Sequence, residues 1–469
     1  MLEVFRDALT EKRWPALLEL LLDDWRKHRD PRVAELVELV STCVDEFLEC
    51  PGGTNPQRRL EQWTQFLDPK EPRTLRPALR ALERWKRPQL ETALATLATW
   101  PDDPRLSHWH DEALNGGILE LHVPALVKRG DVRALARLRP LQRELSGTFT
   151  RQALVEDIDT AIDALRKTRV IETWTAEDLS TATSAVNAFL EARRKSRSEL
   201  FAAVYARPLE DGPRAVLADF LLELGDVRGE FIALQLAHGL PSDRKKVPAR
   251  EKELLELWGE RWVEPLSDAV LKGTVFRRGF PAACELRDAD PTLHALEWAT
   301  LERVFSFGLG ARDPGSFFSA KRFPALRTLG PVDPSLLATP EPLAIETLSV
   351  TWCSDAEFSR FIASASFPHV RSLRIDAQAR FDAMLLDRVP ATSALRELIC
   401  NISASAVSRW ARMLATHRGP LTRVVVSGLG SSWQWTLEPS GKGLRVSDAT
   451  WSTAELEAEH RALPLFAAS

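Results

Sequence analysis

Cysteine is scarce in this chain of 469 residues. There are five, at Cys43, Cys50, Cys284, Cys353 and Cys400, with no CxxC pair among them. An odd, scattered set suits reduced thiols in a cytoplasm and argues against a disulfide or zinc framework. Cys43 and Cys50 fall seven apart in a helical pattern and read as small buried residues. Tyrosine occurs once against fifteen tryptophans, and lysine 13 times against 49 arginines. With abundant Ala and Leu, that bias points to a genome rich in G and C, so a lone arginine carries little functional weight. No uncharged apolar run reaches the length of a membrane span. The opening MLEVFRDALTEKRW carries acids and lacks the apolar centre of a secretory signal. The motifs GxGxxG, GxxxxGK[ST] and GxSxG are all missing; GLGARDPG, from Gly308, lacks the lysine, and GLGSSW is as weak a match. No cofactor is therefore expected. A net charge of −4 gives no field favouring nucleic acid or an anionic membrane.

What is present is periodicity. Residues 1 to 196 carry apolar side chains at helical spacing, as in Trp14, Leu17, Leu18, Leu21 and Leu22. Three segments share an opening: DPRVAELVEL from Asp30, DPRLSHWHDEAL from Asp103 and DVRALARLRPL from Asp131. Aspartate caps a helix by accepting from a free N–H, and proline fits the first helical position. Restarted helices of this kind predict an all-α array, α-solenoid-like in the manner of HEAT or TPR repeats, with irregular spacing. The charged run Glu191–Leu200, with Arg193, Arg194, Lys195 and Arg197, reads as a solvated helix face or linker, and places a domain boundary near residue 196.

The segment EDGPRAVLADFLLELGDVRGEFIALQLAHG, residues 210–239, predicts a helical hairpin. Asp211 or Gly212 caps the first helix, Gly225 supplies a left-handed end and Asp226 caps the second. Such a shape also suits a DNA-binding helix-turn-helix, but from Asp211 to Gly239 five acids against Arg214 and Arg228 oppose phosphate contact. Asp219 falls within the apolar pattern, where a carboxylate needs a partner, so Arg214 or Arg228 is expected to pin it.

With the preceding SELFAAVYARPL, this stretch resembles the short repeat-companion domain of myxobacterial and planctomycete proteins. The residues that carry the resemblance are Asp211, Pro213, Arg214, Leu217 to Phe220, Gly225, Asp226, Arg228, Glu230 to Ile232, Leu234 and Gln235. Phe220 stands where the family has Trp, and Leu224 where Arg is common. The similarity covers about 40 residues, and LLELWGERWVEPL and VFRRGFPAACEL look like its continuation. It implies a non-catalytic module, over 197–272, that precedes leucine-rich repeats.

Repeats do follow. LRTLG begins at Leu326, IETLSV at Ile345, VRSLRI at Val370, LRELIC at Leu395 and LTRVVV at Leu421, with a looser LERVFSF at Leu301. Their starts differ by 25, 19, 25, 25 and 26 residues, within or near the leucine-rich range. SDAEFSRFIASA and SAVSRWARMLA between them read as helices. The expectation for 273–469 is an α/β leucine-rich-repeat-like solenoid with parallel strands about 4.8 Å apart. The ninth position of the unit is Cys353 in one repeat, assigned to a structural turn, and Gln378 and Ser403 in others, so the repeat is degenerate. SSWQWTLEP and LRVSD, joined through SGKG, predict a closing β-hairpin cap with Trp433 and Trp435 on one face.

For function, the cluster HWHDE (His108, His110, Asp111, Glu112) with His122 offers metal-like donors. It follows a helix start, and on a helix His108 and His110 would point about 200° apart. A metal-dependent enzyme there, or nucleic-acid binding by the helical array, is the alternative reading. The favoured one is a non-catalytic protein–protein interaction scaffold. Its candidate partner-binding residues lie between the apolar positions of the repeats: Arg327, Glu346, Arg371, Arg374, Arg396, Glu397, Ile399 and Arg423, with Ile399 and Val425 expected to form an exposed apolar spot.

Overall fold

The structure is a computed structural model. It describes residues 2–45, 50, 56–82, 85, 87–106, 123, 127–146, 152–238, 247–270, 273–287, 294–306, 317–332, 342–350, 368–375, 394–402, 407–416, 420–428, 433–440, 443–450, 461 and 463. An N-terminal helical region is followed by a ten-stranded mixed sheet. The chain divides into two compact units, one of Met1–Phe201, Ala215–Leu234 and Lys246–Gly259, the other of Ala202–Arg214, Gln235–Lys245 and Glu260–Ser469. No helix among the described residues is long and apolar enough to cross a membrane.

The first unit contains helices Leu2–Thr10, Trp14–His28, Pro31–Asp45, Pro56–Phe66, Leu75–Leu82, Arg87–Ala98, Leu135–Leu145 and Gln152–Arg166, and most of the 31-residue helix Ala176–Ala206. The apolar stripe of Trp14–His28 is buried as its spacing requires: Trp14, Leu17, Leu18, Leu21, Leu22 and Trp25. It packs with Val33, Leu36, Val37 and Val40, and with Ala182, Val186 and Leu190 of the long helix. The Asp-led starts recur as one device. Asp30 Oδ1 accepts the Arg32 amide at 2.9 Å while its carboxylate takes the Arg32 guanidinium through Nε and Nη2. Asp103 holds Arg105 and Asp131 holds Arg133 in the same way. Arg105 then reaches Ser41 Oγ, and Arg133 reaches Glu38 and the Pro104 carbonyl, so these two starts are tied to helix Pro31–Asp45.

The charged run Glu191–Leu200 lies inside the continuous helix Ala176–Ala206 rather than in a linker. Two of its arginines set their guanidiniums over aromatic rings. Arg193 lies over the Phe189 ring and donates to the Cys43 carbonyl, and Arg197 lies over Phe201. The hairpin helices are Gly212–Glu223 and Val227–His238, joined through Gly225 at φ +72°. Asp226 caps the second helix by accepting the Arg228 amide at 2.9 Å. The expectation for Asp219 is overturned: it is exposed, and Leu217, Ala218 and Leu221 form the buried face. The helix is rotated so that a carboxylate inside the apolar run still meets water.

In the second unit the strands are hydrogen-bonded in chain order, β1 (Val275–Arg277), β2 (Phe280–Leu286), β3 (Arg303–Ser306), β4 (Thr328–Val332), β5 (Thr347–Val350), β6 (Ser372–Ile375), β7 (Glu397–Ile402), β8 (Arg423–Gly428), β9 (Gln434–Ser440) and β10 (Gly443–Thr450). From β2 to β8 every pairing is parallel. Antiparallel hairpins β1–β2 and β9–β10 close the two ends. Two buried rows point inward: Leu329, Leu348, Leu373, Leu398 and Val424 form one, and Val332, Val350, Ile375, Cys400 and Val426 the other, with a register shift in β4 between Leu329 and Val332. Helix Val407–Thr416 covers this face with Val407, Trp410, Ala411 and Leu414. Trp298, Phe317, Phe318 and Phe323 cluster at the β3 end, and Trp433 and Trp435, 4.8 Å apart, at the other.

Candidate functional site

The side chains of the candidate site are carried by one backbone pattern. Just before each strand, two successive amides donate to a single carbonyl of the preceding repeat. Glu302 O accepts from Arg327 and Thr328, Arg327 O from Glu346 and Thr347, and Glu346 O from Arg371 and Ser372. Arg371 O accepts from Arg396 and Glu397, and Arg396 O from Thr422 and Arg423. A carbonyl has two lone pairs, so this ladder satisfies both and holds like positions in line. Two outward rows follow. One runs Arg303, Thr328, Thr347, Ser372, Glu397 and Arg423; the other runs Ser349, Arg374, Ile399 and Val425.

The structure brings Arg327, Glu346, Arg371, Arg374, Arg396, Glu397, Ile399 and Arg423 onto this outer face. Arg327 is half-buried, donates to the Leu326 carbonyl at 3.0 Å and lies 3.7 Å from Glu346. Arg371, Arg374 and Arg396 are exposed, and Arg396 donates to the Leu395 carbonyl at 2.9 Å. Glu397 accepts from Ser372 Oγ at 2.7 Å and from Arg423 at 2.6 Å. Ile399 is half-buried. Val425 departs from the expected exposure: it is 6% exposed, flanked in register by Ile399 and by Thr436 of β9.

Sequence reasoning missed the β1–β3 end of the same face. Glu302 is bracketed by Arg277 and Arg278, the latter at 2.6 Å. The missed signal was positional, because Glu302 follows the leading apolar residue of LERVFSF as Arg327 does in LRTLG. Arg278 and Gly279 form the β1–β2 turn with φ of 53° and 83°. Gln235 accepts the Gly279 amide at 2.7 Å through Oε1, and Tyr205 donates to Glu297 at 3.0 Å with its ring edge-on to Phe280. Arg214 lies over the Phe280 ring at 5.2 Å and donates to the Glu210 carbonyl. Burial, then the nearby Arg278 charge, lowers its pKa to about 10.

The other candidates divide. Cys43, Cys50, Cys284 and Cys400 are buried. Burial raises Cys284 to about 12 and pushes Cys400 up as well, so neither is poised as a thiolate nucleophile. His108, His110, Asp111, Glu112 and His122 lie outside the described residues, as do Cys353, Gln378 and Ser403. Among the described residues no group of three or more His, Cys, Asp or Glu is placed to hold a metal ion.

No protein-family model, no curated protein and no solved structure matches this chain.

Proposed function

We propose that this is a non-catalytic interaction scaffold that binds a protein partner on the outer face of its sheet. The reading includes a leucine-rich-repeat-like solenoid for β2–β8, an α-solenoid-like array for the helical half and a cytoplasmic bacterial setting. One observation carries it: successive strands hold like outward positions in line through shared carbonyls, which turns scattered polar residues into rows. Rows of arginine and glutamate around a half-buried isoleucine match the composition of a protein interface, with polar groups around an apolar centre. The resemblance to a repeat-companion module fits the same reading. Tyr205, Arg214 and Gln235, all from that stretch, converge on the β1–β2 hairpin that opens the sheet.

The test is a comparison of partner sets. Arg371→Glu combined with Arg396→Glu, both exposed, is expected to remove specific partners from affinity purification in the native host. An unchanged set, from a variant with an unchanged melting temperature, moves the function away from this face.

A further inference from the structure

Phe305 on β3 is a large apolar side chain left 38% exposed. Val304 beside it is buried, so Phe305 and the exposed Arg303 share the outer face. Glu285 on β2 is in register with Phe305 and alternates with buried Cys284 and Leu286, so it faces outward as well. The side chains of Arg303 and Glu285 make no hydrogen bond or ion pair among the described residues. Two residues past Thr328, β4 carries Gly330, and the outward residue of β5 is Ser349, so little side chain stands on that side of the ring. We infer that this patch is an interface between two copies of the chain. Arg303 of each copy meets Glu285 of the other, around paired Phe305 rings. The inference goes beyond the scaffold reading and concerns β2 and β3 alone.

A patch of one sign calls for a partner of the other; this one holds both. Along β3 Arg303 stands about 6.6 Å from Phe305, and Glu285 stands about 4.8 Å from it across the strands. The two charges are therefore diagonal, with the ring at the corner between them. A twofold axis that lies in the plane of contact and bisects this diagonal passes close to Phe305. It brings Arg303 of each copy opposite Glu285 of the other and sets the two rings together, so one set of residues supplies every complement. Aromatic pairs gain from edge-to-face or offset stacking, and opposite charges fix the register in which the copies meet. Nearby, Glu302 is taken by Arg277 and Arg278, and Arg327 lies beside Glu346, so those charges are matched within each copy. The patch is small, which makes the association transient, with a dissociation constant on the order of 10 µM.

The experiment follows the full chain by sedimentation velocity over about 1–100 µM, a range that brackets this constant. The parent protein is expected to pass from monomer to dimer as concentration rises. Phe305→Ser is expected to weaken association about tenfold or more. Arg303→Glu and Glu285→Arg are each expected to weaken it as much, since like charges then meet twice. Mixing these two variants is expected to restore it, because the acidic patch of one faces the basic patch of the other. Arg371→Glu, exposed on β6, is expected to leave it unchanged. Melting temperatures confirm that each variant is folded, and Arg303→Gln or Glu285→Gln, each expected to weaken association, replaces a reversal that melts early. A monomer across the whole range, association indifferent to Phe305→Ser, equal loss with Arg371→Glu, or no recovery on mixing overturns the inference.

Discussion

Asp103 and Arg105 are 1% and 3% exposed, yet both carry charge. A buried ion pair is tolerated when its remaining hydrogen-bonding groups are satisfied, and here the same carboxylate also caps a helix start by taking the Arg105 amide. With Asp30–Arg32 and Asp131–Arg133 alike, arginine two residues after a capping aspartate works as a structural clamp. Asp45 is the counterexample. It is fully buried, and Arg76 at 3.1 Å does not offset its burial, which raises its pKa to about 6. Below the ordinary aspartate value the group is protonated whether the chain is folded or not. Between that value and about 6 the folded chain keeps a proton that the unfolded chain has released, so stability falls as pH rises through this window. Asp45→Asn is expected to lose that component: the difference in melting temperature between variant and parent shifts in the variant's favour from pH 4 to pH 6.5 or so. A difference that is constant with pH would show that Asp45 titrates normally.

At the scale of elements, the helical hairpin depends on two glycines for different reasons. Gly225 occupies a left-handed conformation at the turn. Gly229 lies where the helices cross. A Cβ there would stand 2.7 Å from Leu222 N and 2.8 Å from Ala218 O, both backbone atoms that do not swing aside. Alanine gains about 1 kcal/mol in helix propensity, but overpacking costs about 1–3 kcal/mol, so packing dominates. Gly229→Ala is expected to lower the thermal midpoint by several degrees, read by circular dichroism; an unchanged or higher midpoint would mean the helices separate freely. The turn at Gly225 is legible in the sequence because its chemistry is local. The close approach at Gly229 is not, because it depends on what the second helix meets.

At the scale of the molecule, the sheet runs from hairpin to hairpin, and its end strands guard an apolar core. Trp435 on β9 is fully buried and opposes Val426 of β8. Trp435→Ala is expected to cost about 3–5 kcal/mol and to loosen the β9–β10 hairpin, leaving β8 as an open edge. Hydrogen exchange should then rise over residues 407–450 while the helices of the first unit keep their protection. Uniform loss across the whole chain would show that the two units unfold as one. The helical half followed by short strands was legible from period alone, and so were the closing hairpin and the outward set Arg371, Arg374, Arg396 and Glu397. The bracketing of Glu302 by Arg277 and Arg278 and the covering of Val425 were not, since each depends on residues brought together by strand pairing.

The sequence by itself determined where helices start, where the chain turns and which strand residues are apolar. Those choices rest on capping, on left-handed glycine and on period, which act over a few residues. Only the tertiary structure decided that Asp219 faces water, that Arg105 reaches Ser41 and Arg133 reaches Glu38, and that Glu397 accepts from Ser372 and Arg423 on the strands either side of it. Rotation of a helix and alignment of strands are set by the combined burial of many side chains, and no short stretch contains that sum.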